Sequence, residues 1–563
     1  MPKVTINDRT VEVEAGTNLV DAAMKVGVQI PHYCYHPRLS VVGQCRMCLV
    51  KIEGMPKLQA GCSTPVVKDG MVVRTDVPEV AEAQKGMMEF FLLNHPLDCP
   101  ICDQAGECGL QDYSFKHGVA YSRFQYEDKR TYPGRERIPL GANVLLNMNR
   151  CIQCTRCVRF TQEVTKTAEL GFFNRGARTE IGTFPGKELN NDLATCVVDI
   201  CPVGALTSTR FRFAERVFYL DKKPSLCTGC EVGCNITVEH RRGSIKRYKP
   251  RFNVDVNDYW MCDYGRSTFE LYKTTPRLVT PRVRAEGGNG HSPVTPTSWK
   301  DALDAVARRL RGNQETVAFL GSGFLTTEEA YLFGQLADLA GSPHRSVPVD
   351  LGDPHTIPRH GQPPISGREA APNRRGAELA GLAPGIADGK AMTGDLLTSD
   401  ELVHGDGASR CSALVVCDSY FSRAAYDPAV VERLRKAKFL VVFGWADSPL
   451  AQAADVALPV ATHTEKEGTF VNVEHRVQRF DRAFPAQGQV RPGVEVLSDL
   501  LSRFDAKWAN LSAGAVFDRL AATVPAFAGL SWHTLPATGA PLHLAGVPGD
   551  AIAAETAPGT GIE

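Results

Sequence analysis

Sixteen of the eighteen cysteines in this 563-residue chain fall within its first 262 positions, and only Cys411 and Cys417 lie beyond. Disulfides that staple a secreted protein do not crowd one half and leave the other bare. Clustered thiols in a reducing setting point instead to metal or redox chemistry. The opening MPKVTINDRT lacks the basic stretch and apolar run of a secretory signal, so a cytosolic setting is expected. No run approaches the roughly 18 apolar residues that a spanning helix needs, and 63 basic residues balance 63 acidic ones. A membrane-spanning or nucleic-acid-coating chain is thereby disfavoured. The length calls for several domains.

Spacing sorts the cysteines into four sets. Cys34, Cys45, Cys48 and Cys62 follow C-x10-C-x2-C-x13-C. The C-x2-C turn supplies two thiolates from one loop, and VVGQCRMC offers Gly43 and closely spaced amides for hydrogen bonds to sulfur. Plant-type ferredoxins use a related loop with a shorter first gap, which favours [2Fe–2S]; a four-thiolate zinc site is the alternative. In NHPLDCPICDQAGEC, Cys99, Cys102 and Cys108 need a fourth ligand, and His95 directly precedes them. The bland reading of His95 is a cap on a helix end. Its place before three cysteines favours ligation.

Cys151, Cys154 and Cys157 form the C-x2-C-x2-C run of bacterial ferredoxins, and Cys201 lies in a distant Cys-Pro. One run and one Cys-Pro fit a single [4Fe–4S] site. Cys196 competes for the fourth place, and the Cys-Pro context favours Cys201. Cys227, Cys230, Cys234 and Cys262 follow C-x2-C-x3-C-x27-C, a spacing that favours a cubane over a zinc ribbon. Fifteen cysteines and one histidine make sixteen ligands. Cys196, Cys411 and Cys417 remain as buried small hydrophobes.

The rest of the chain reads as multidomain α+β followed by α/β. KVTINDRTVEVE is a hairpin around Asn7-Asp8, and Asn18 to Val26 has helical spacing. A helix from Val80 carries a capping-box-like Asp76 and Glu79 and must stop soon after His95, before Pro96. Residues 97–275 are loop-rich and depend on metal as a staple. TVAFLGSG, SALVVCD and FLVVFGWAD are buried strands alternating with helices, one of which Thr326 and Glu329 open. Residues 343–384 hold eight prolines and read as a long loop or surface wrap; the final 30 residues contain 16 Ala, Gly or Pro and read as a loose tail. Gly321-Ser-Gly323 lacks the third glycine of a dinucleotide loop, so nicotinamide binding here is disfavoured. His463, Glu465, Lys466 and Glu467, in THTEKEGT, read as a solvated turn.

The order of the sets, with YCYHPRLSVVGQCRMCLVKIEG, NHPLDCPICDQAGECGLQD and CPVGALTS, resembles the large iron–sulfur subunit (the G subunit, 75 kDa-type) of bacterial NADH:quinone oxidoreductase, respiratory complex I. PNRRGAELAGLAPG and ADVALPVATHTEKEGTFVNVEHRVQRF resemble, more weakly, the molybdopterin oxidoreductase superfamily. The resemblance implies one [2Fe–2S] cluster on the first set and [4Fe–4S] clusters on the other three, with His95 a ligand. It implies a β-grasp [2Fe–2S] ferredoxin-type domain at 1–78, a [4Fe–4S] domain with one histidine and three cysteine ligands at 79–118, and a [4Fe–4S] ferredoxin-like domain at 119–218. A molybdopterin-oxidoreductase-type [4Fe–4S] domain at 219–275, a shortened α/β domain of that superfamily at 276–510 and a C-terminal tail at 511–563 follow.

The region after the cluster sets is shorter than in full molybdopterin enzymes, and no cysteine between Cys262 and Cys411 could ligate molybdenum. No molybdopterin is therefore expected. By resemblance the chain relays electrons within an NADH dehydrogenase of the translocase class, from a flavin- and NADH-binding partner subunit toward quinone, alongside other peripheral-arm iron–sulfur subunits. It would sit peripherally on the cytoplasmic face of the cell membrane, with the fourth cluster off the main wire. The alternative is a cluster-bearing subunit of a formate dehydrogenase or an NAD-linked hydrogenase.

Overall fold

A computed structural model describes residues 1–125, 127–285, 294–311, 316–383, 396–418 and 427–543, with the backbone alone of 386–387 and 390–391. The chain divides into two compact units, Met1–Leu220 and Asp221–Glu563.

The first unit opens with β1 (Lys3–Ile6), β2 (Arg9–Glu12), α1 (Leu19–Lys25), β3 (Leu49–Ile52), β4 (Gln59–Ala60) and β5 (Met71–Arg74). They form one sheet in the order β2-β1-β5-β3-β4, with β1 and β5 parallel and the other pairs antiparallel. Asn7 and Asp8 turn the hairpin with φ of 45° and 69°, a conformation these two residue types tolerate. Asn18 caps α1 by accepting from the Asp21 amide at 3.0 Å. α1 packs Leu19, Val20 and Ala23 on Val4, Ile6, Val50 and Val73 of the sheet.

α2 (Pro78–Leu93) starts from Val77 without a side-chain cap, so the expected Asp76–Glu79 box does not form. Pro78 at the first position brings no N–H that needs a partner, and Glu79 instead pairs with Lys51 at 3.0 Å. Short elements follow: α3 (Gly109–His117), β6 (Ile138–Pro139), β7 (Val144–Leu146), α4 (Arg156–Arg159), β8 (Leu170–Phe173), β9 (Glu180–Thr183), α5 (Cys196–Ile200) and β10 (Leu206–Ser208). β10, β7 and β6 form an antiparallel sheet that flanks the third cysteine set.

The second unit begins with three antiparallel strands, Asp221–Leu226, Asn235–Arg241 and Ser244–Pro250. Its main sheet has seven strands, five of them parallel: Val456–Pro459, Leu440–Gly444, Ala413–Asp418, Val317–Leu320 and His344–Ser346. An antiparallel hairpin of Arg282–Arg284 and Val294–Pro296 extends the Val456 edge. Successive residues of the central strands bury to opposite faces, Phe319, Val415 and Val441 on one and Leu320, Val416 and Val442 on the other. Continuous apolar runs follow from coverage on both sides. Thr326 opens the helix Thr327–Leu339 with a complete capping box to Glu329. Cys411 and Cys417 are core residues.

Two expectations need correction. Residues 343–384 are not one long loop: they contain the edge strand His344–Ser346, a hairpin of Leu351–Ile357 and Ile365–Glu369, and the helical turn Arg374–Ala377. The ribbon has only two strands, so Pro354 needs no ladder donor on its outer edge; residue 384 lies outside the described residues. Nor is 511–563 a tail throughout. The helix Ala513–Thr523 buries Val516, Phe517 and Leu520, and Phe527 and Trp532 join the same core. Ala540–Pro541 then adds a strand to Arg476–Phe480. An average over small residues concealed the helical stripe; residues 544–563 lie outside the described residues. Among the described residues no helix is long and apolar enough to cross a membrane.

Candidate metal centres

No cysteine is in a disulfide. The first set converges from the loop between α1 and β3 and from the turn Gly61–Ser63, and all four residues are buried. The Cys34 sulfur accepts from the Cys45 and Cys62 thiols and from the Gln44 and Cys45 amides, which brings its pKa down to about 2. Cys48 accepts from Cys62 and falls to about 7, while the donors Cys45 and Cys62 are pushed up. The Tyr33 amide donates to the Cys45 sulfur at 3.5 Å. Gly43 and Arg46 take φ of 57° and 54°, curling the loop so that successive amides face the sulfurs. The amide-rich loop expected from VVGQCRMC is thus present.

Cys151, Cys154, Cys157 and Cys201 line one largely apolar cavity with Leu146, Ile152, Arg156, Ile181, Val203 and Leu206. Left-handed Gln153 and Thr155 (φ 55° and 68°) turn the C-x2-C-x2-C run inward. Cys196, fully buried at the start of α5, is absent from that lining, so Cys201 is the one brought to the three. Burial pushes these thiols up, Cys201 to about 12. Any metal that binds them must displace protons. Among the described residues no three His, Cys, Asp or Glu side chains close around one point as a single ion requires. Four soft donors ringing a cavity suit a polynuclear iron–sulfur group better than one zinc ion.

Cys99, Cys102 and Cys108 lie close together: burial first, and then the neighbouring thiols, raise the pKa of Cys102 and of Cys108. Cys102 and Cys108 are buried and Cys99 is exposed. The CPVG segment backs this set. Pro202 O accepts from the Gly109 amide at 3.1 Å and the Cys108 thiol at 3.8 Å. Gly204 approaches so closely that a Cβ there would lie 2.1 Å from the Cys102 sulfur. Arg216 donates to the carbonyls of Cys99 and Cys102 at 3.1 and 3.0 Å. His95 is placed differently: it lines a cavity with Asn149, Cys151 and Gln153. Burial first, then Arg150, lowers its pKa to about 4, leaving a neutral imidazole with a ligand lone pair at neutral pH.

The third set therefore adjoins both the first and the second. Ser40 donates to Glu163 from its amide and hydroxyl at 2.8 and 2.6 Å, and Gln44 Nε2 donates to Gln153 O at 2.8 Å. These bonds join the loop of the first set to that of the third, while Cys201 and Gly204, three residues apart, face the third and the second.

In the second unit Cys227, Cys230, Cys234 and Cys262 are all buried. The Gly229 and Gly265 amides donate to the sulfurs of Cys227 and Cys262 at 3.4 and 3.3 Å. A Cβ at Gly265 would lie 2.8 Å from the Cys227 sulfur. Burial again raises the thiols, Cys227 to about 12.

The THTEKEGT segment is not a solvated turn: His463, Glu465 and Lys466 are buried, and only Glu467 of the four is exposed. Arg277 forks onto Glu465 at 2.8 and 3.2 Å, and Lys466 Nζ meets Glu329 at 2.6 Å. Tyr272 Oη lies 2.8 Å from His463 Nδ1. Partners from distant segments, invisible to local polarity, account for the burial. Gly321 and Gly323 serve packing, since a Cβ on either would strike Leu382 or Ala371 at 2.7 or 2.6 Å.

Fold and thiol sets together define an iron–sulfur oxidoreductase in which ferredoxin-type modules precede a molybdopterin-oxidoreductase-type α/β domain. Family models agree: 2Fe-2S iron-sulfur cluster binding domain at 2–78, NADH-ubiquinone oxidoreductase-G iron-sulfur binding region at 84–123, and NADH-quinone oxidoreductase subunit 3 ferredoxin-like domain at 141–207. Molybdopterin oxidoreductase Fe4S4 domain matches 220–273 and Molybdopterin oxidoreductase matches 398–503. The chain is 30% identical to the NADH-quinone oxidoreductase G subunit of Rickettsia felis, over 89% of this chain and 87% of that one. It is 32% identical to the mitochondrial NADH-ubiquinone oxidoreductase 78 kDa subunit of Candida albicans, over 90% and 83%. It belongs to the family of NADH-quinone oxidoreductase G subunits. Against the G subunit of Streptomyces coelicolor, 38% identical, it matches over 60% of its own length and spans only 39% of the relative.

Proposed function

We propose that this chain is the electron-relaying subunit of an NADH:quinone oxidoreductase, carrying electrons from an NADH-reduced flavin on a partner subunit toward quinone sites on others. It would hold one [2Fe–2S] cluster on Cys34, Cys45, Cys48 and Cys62. Three [4Fe–4S] clusters would be held by His95 with Cys99, Cys102 and Cys108, by Cys151, Cys154, Cys157 and Cys201, and by Cys227, Cys230, Cys234 and Cys262. No molybdopterin is included. The assembled complex would place the chain peripherally on the cytoplasmic face of the cell membrane.

The observation that carries this reading is the gathering of three sets in one unit, with hydrogen bonds from the loops of the third to those of the first and close packing of its CPVG segment on the second. The bound clusters supply one-electron redox steps. The chain holds them on thiolates, aims amides at sulfur and keeps water out with an apolar lining such as Leu146, Ile181 and Leu206 around the third set. Main-chain N–H groups directed at sulfur stabilise the added negative charge of a reduced centre.

Cys154→Ser in the intact complex tests the assignment. Quinone turnover with NADH should be lost while flavin-level reduction of an artificial acceptor persists. Unimpaired quinone turnover with that cluster shown absent by paramagnetic resonance would falsify the relay. A formate dehydrogenase or hydrogenase role, for which the match to the molybdopterin domain speaks, predicts bound molybdenum or a hydrogen-activating centre; metal analysis of anaerobically purified protein separates the two.

A further inference from the structure

One side chain touches both the first and the third set. Arg159, the last residue of α4, is buried. Its Nη2 donates to the carbonyl of Cys34 at 2.5 Å and to that of Cys154 at 3.4 Å. Nη1 donates to the Ser40 carbonyl, and Nε to Thr155 Oγ1 at 3.0 Å. One turn earlier Arg156 donates to the carbonyls of Tyr35 and Ile200, the latter at 3.0 Å. Those residues are the immediate neighbours of Cys34 and Cys201.

Among the described residues neither guanidinium is ion-paired with a carboxylate; the acceptors of all six bonds are carbonyls or a hydroxyl. A guanidinium stays protonated in proteins, and burying such a charge without an opposite one is strongly unfavourable. The thiols of the two sets lie on residues whose carbonyls Arg159 holds, and the Glu163 carboxylate is bound to the same Ser40 whose carbonyl Arg159 engages. A thiolate-bound cluster on each side supplies that counter-charge, and a further electron on either one strengthens the attraction.

We propose that Arg159, with Arg156 beside it, is the counter-charge and hydrogen-bonded bridge that raises the reduction potentials of the first and third centres and couples electron passage between them. The assignment rests on the relay reading above. Arg159 acts through the two ligand loops and is a positioning and tuning residue.

The test is a potentiometric titration, followed by low-temperature paramagnetic resonance, of the anaerobically purified complex with Arg159→Gln, Arg159→Lys and Arg156→Gln. Ser40→Ala, which removes one of the two bonds to Glu163 and no charge, serves as the control. With both resonances present, Arg159→Gln should lower the reduction equilibrium constant of each centre about tenfold, 59 mV for a one-electron couple. Arg159→Lys should restore most of the potential while slowing reduction of the third centre after rapid mixing with NADH, because an ammonium does not fork between two carbonyls. Ser40→Ala should leave both potentials in place. Unchanged potentials in an assembled Arg159→Gln complex overturn the proposal. If that variant loses its clusters, unchanged potentials in Arg156→Gln together with unslowed transfer in Arg159→Lys overturn it equally. A wild-type complex lacking both resonances would defeat the relay reading instead.

Discussion

Gly204→Ala probes the second set through a single methyl group. The new Cβ would lie 2.1 Å from the Cys102 sulfur and 3.2 Å from Gln104 Cβ, far inside van der Waals contact. Cys102 can yield in two ways. Rotation about its one side-chain torsion costs about 0.5–1.5 kcal/mol if it ends off a staggered well and turns the sulfur away from Cys99 and Cys108. A backbone shift costs about 1–3 kcal/mol, the usual range for an overpacked interior. The cheaper route leaves the fold nearly intact and removes one of three thiolates from the site. For a unit of this size about 1 kcal/mol lowers the melting temperature by roughly 2–4 °C. The expected result is a small thermal shift together with loss of the second-site resonance and about four iron atoms per chain, while the first-site signal stays. Gly86→Ala is the control: nothing lies within 4 Å of its added Cβ in α2, so stability should hold or rise by about 0.4–1 kcal/mol. Full iron content and an unaltered second-site resonance in Gly204→Ala would refute the idea that Pro202–Gly204 backs that site.

The other expectations concern the second unit. Glu328 is fully buried, and burial raises its carboxyl from 4.5 to about 7 despite hydrogen bonds from Thr469. A folded pKa above the unfolded one means that the protonated form favours folding, so stability should decline from about pH 4.5 upward through pH 7. Glu328→Gln should flatten that decline, by up to about 3 kcal/mol at pH 8; denaturant titrations at pH 5 and pH 8 that show equal stability in the parent would contradict it. Lys466→Met strips Glu329 of its 2.6 Å partner and should cost about 3–5 kcal/mol, a loss that Glu329→Gln made in the same chain should partly relieve; additive losses in the two variants would argue against a coupled pair. Ending the chain at Asn510 removes Phe517, Phe527 and Trp532 from the core. At about 3–5 kcal/mol for each large aromatic, that chain should fail to give a cooperative second-unit transition in calorimetry; a normal transition would restore the tail reading.

Spacing along the chain is what sorts the cysteines into candidate sets, because a C-x2-C turn is a local object whose geometry neighbouring residues impose. The hairpin at Asn7-Asp8, the capping box at Thr326 and the parallel strands of the second unit were legible for the same reason: turn chemistry, caps and apolar runs act over a few residues. Tertiary structure alone decided which quartets are neighbours. The sets run first, second, third along the sequence, yet in space the third joins both others, because Gln44–Gln153, Ser40–Glu163 and the CPVG segment close contacts across 109, 123 and 94 residues. It also placed Cys201, and not Cys196, at the cavity and put His95 in one cavity lining with Cys151. Arg159, a basic residue in RCIQCTRCVRF with no motif of its own, became a link between two sites. The polar THTEKEGT stretch and the segment 513–532 both proved buried, since burial depends on which distant partner arrives and no short window of residues records that partner.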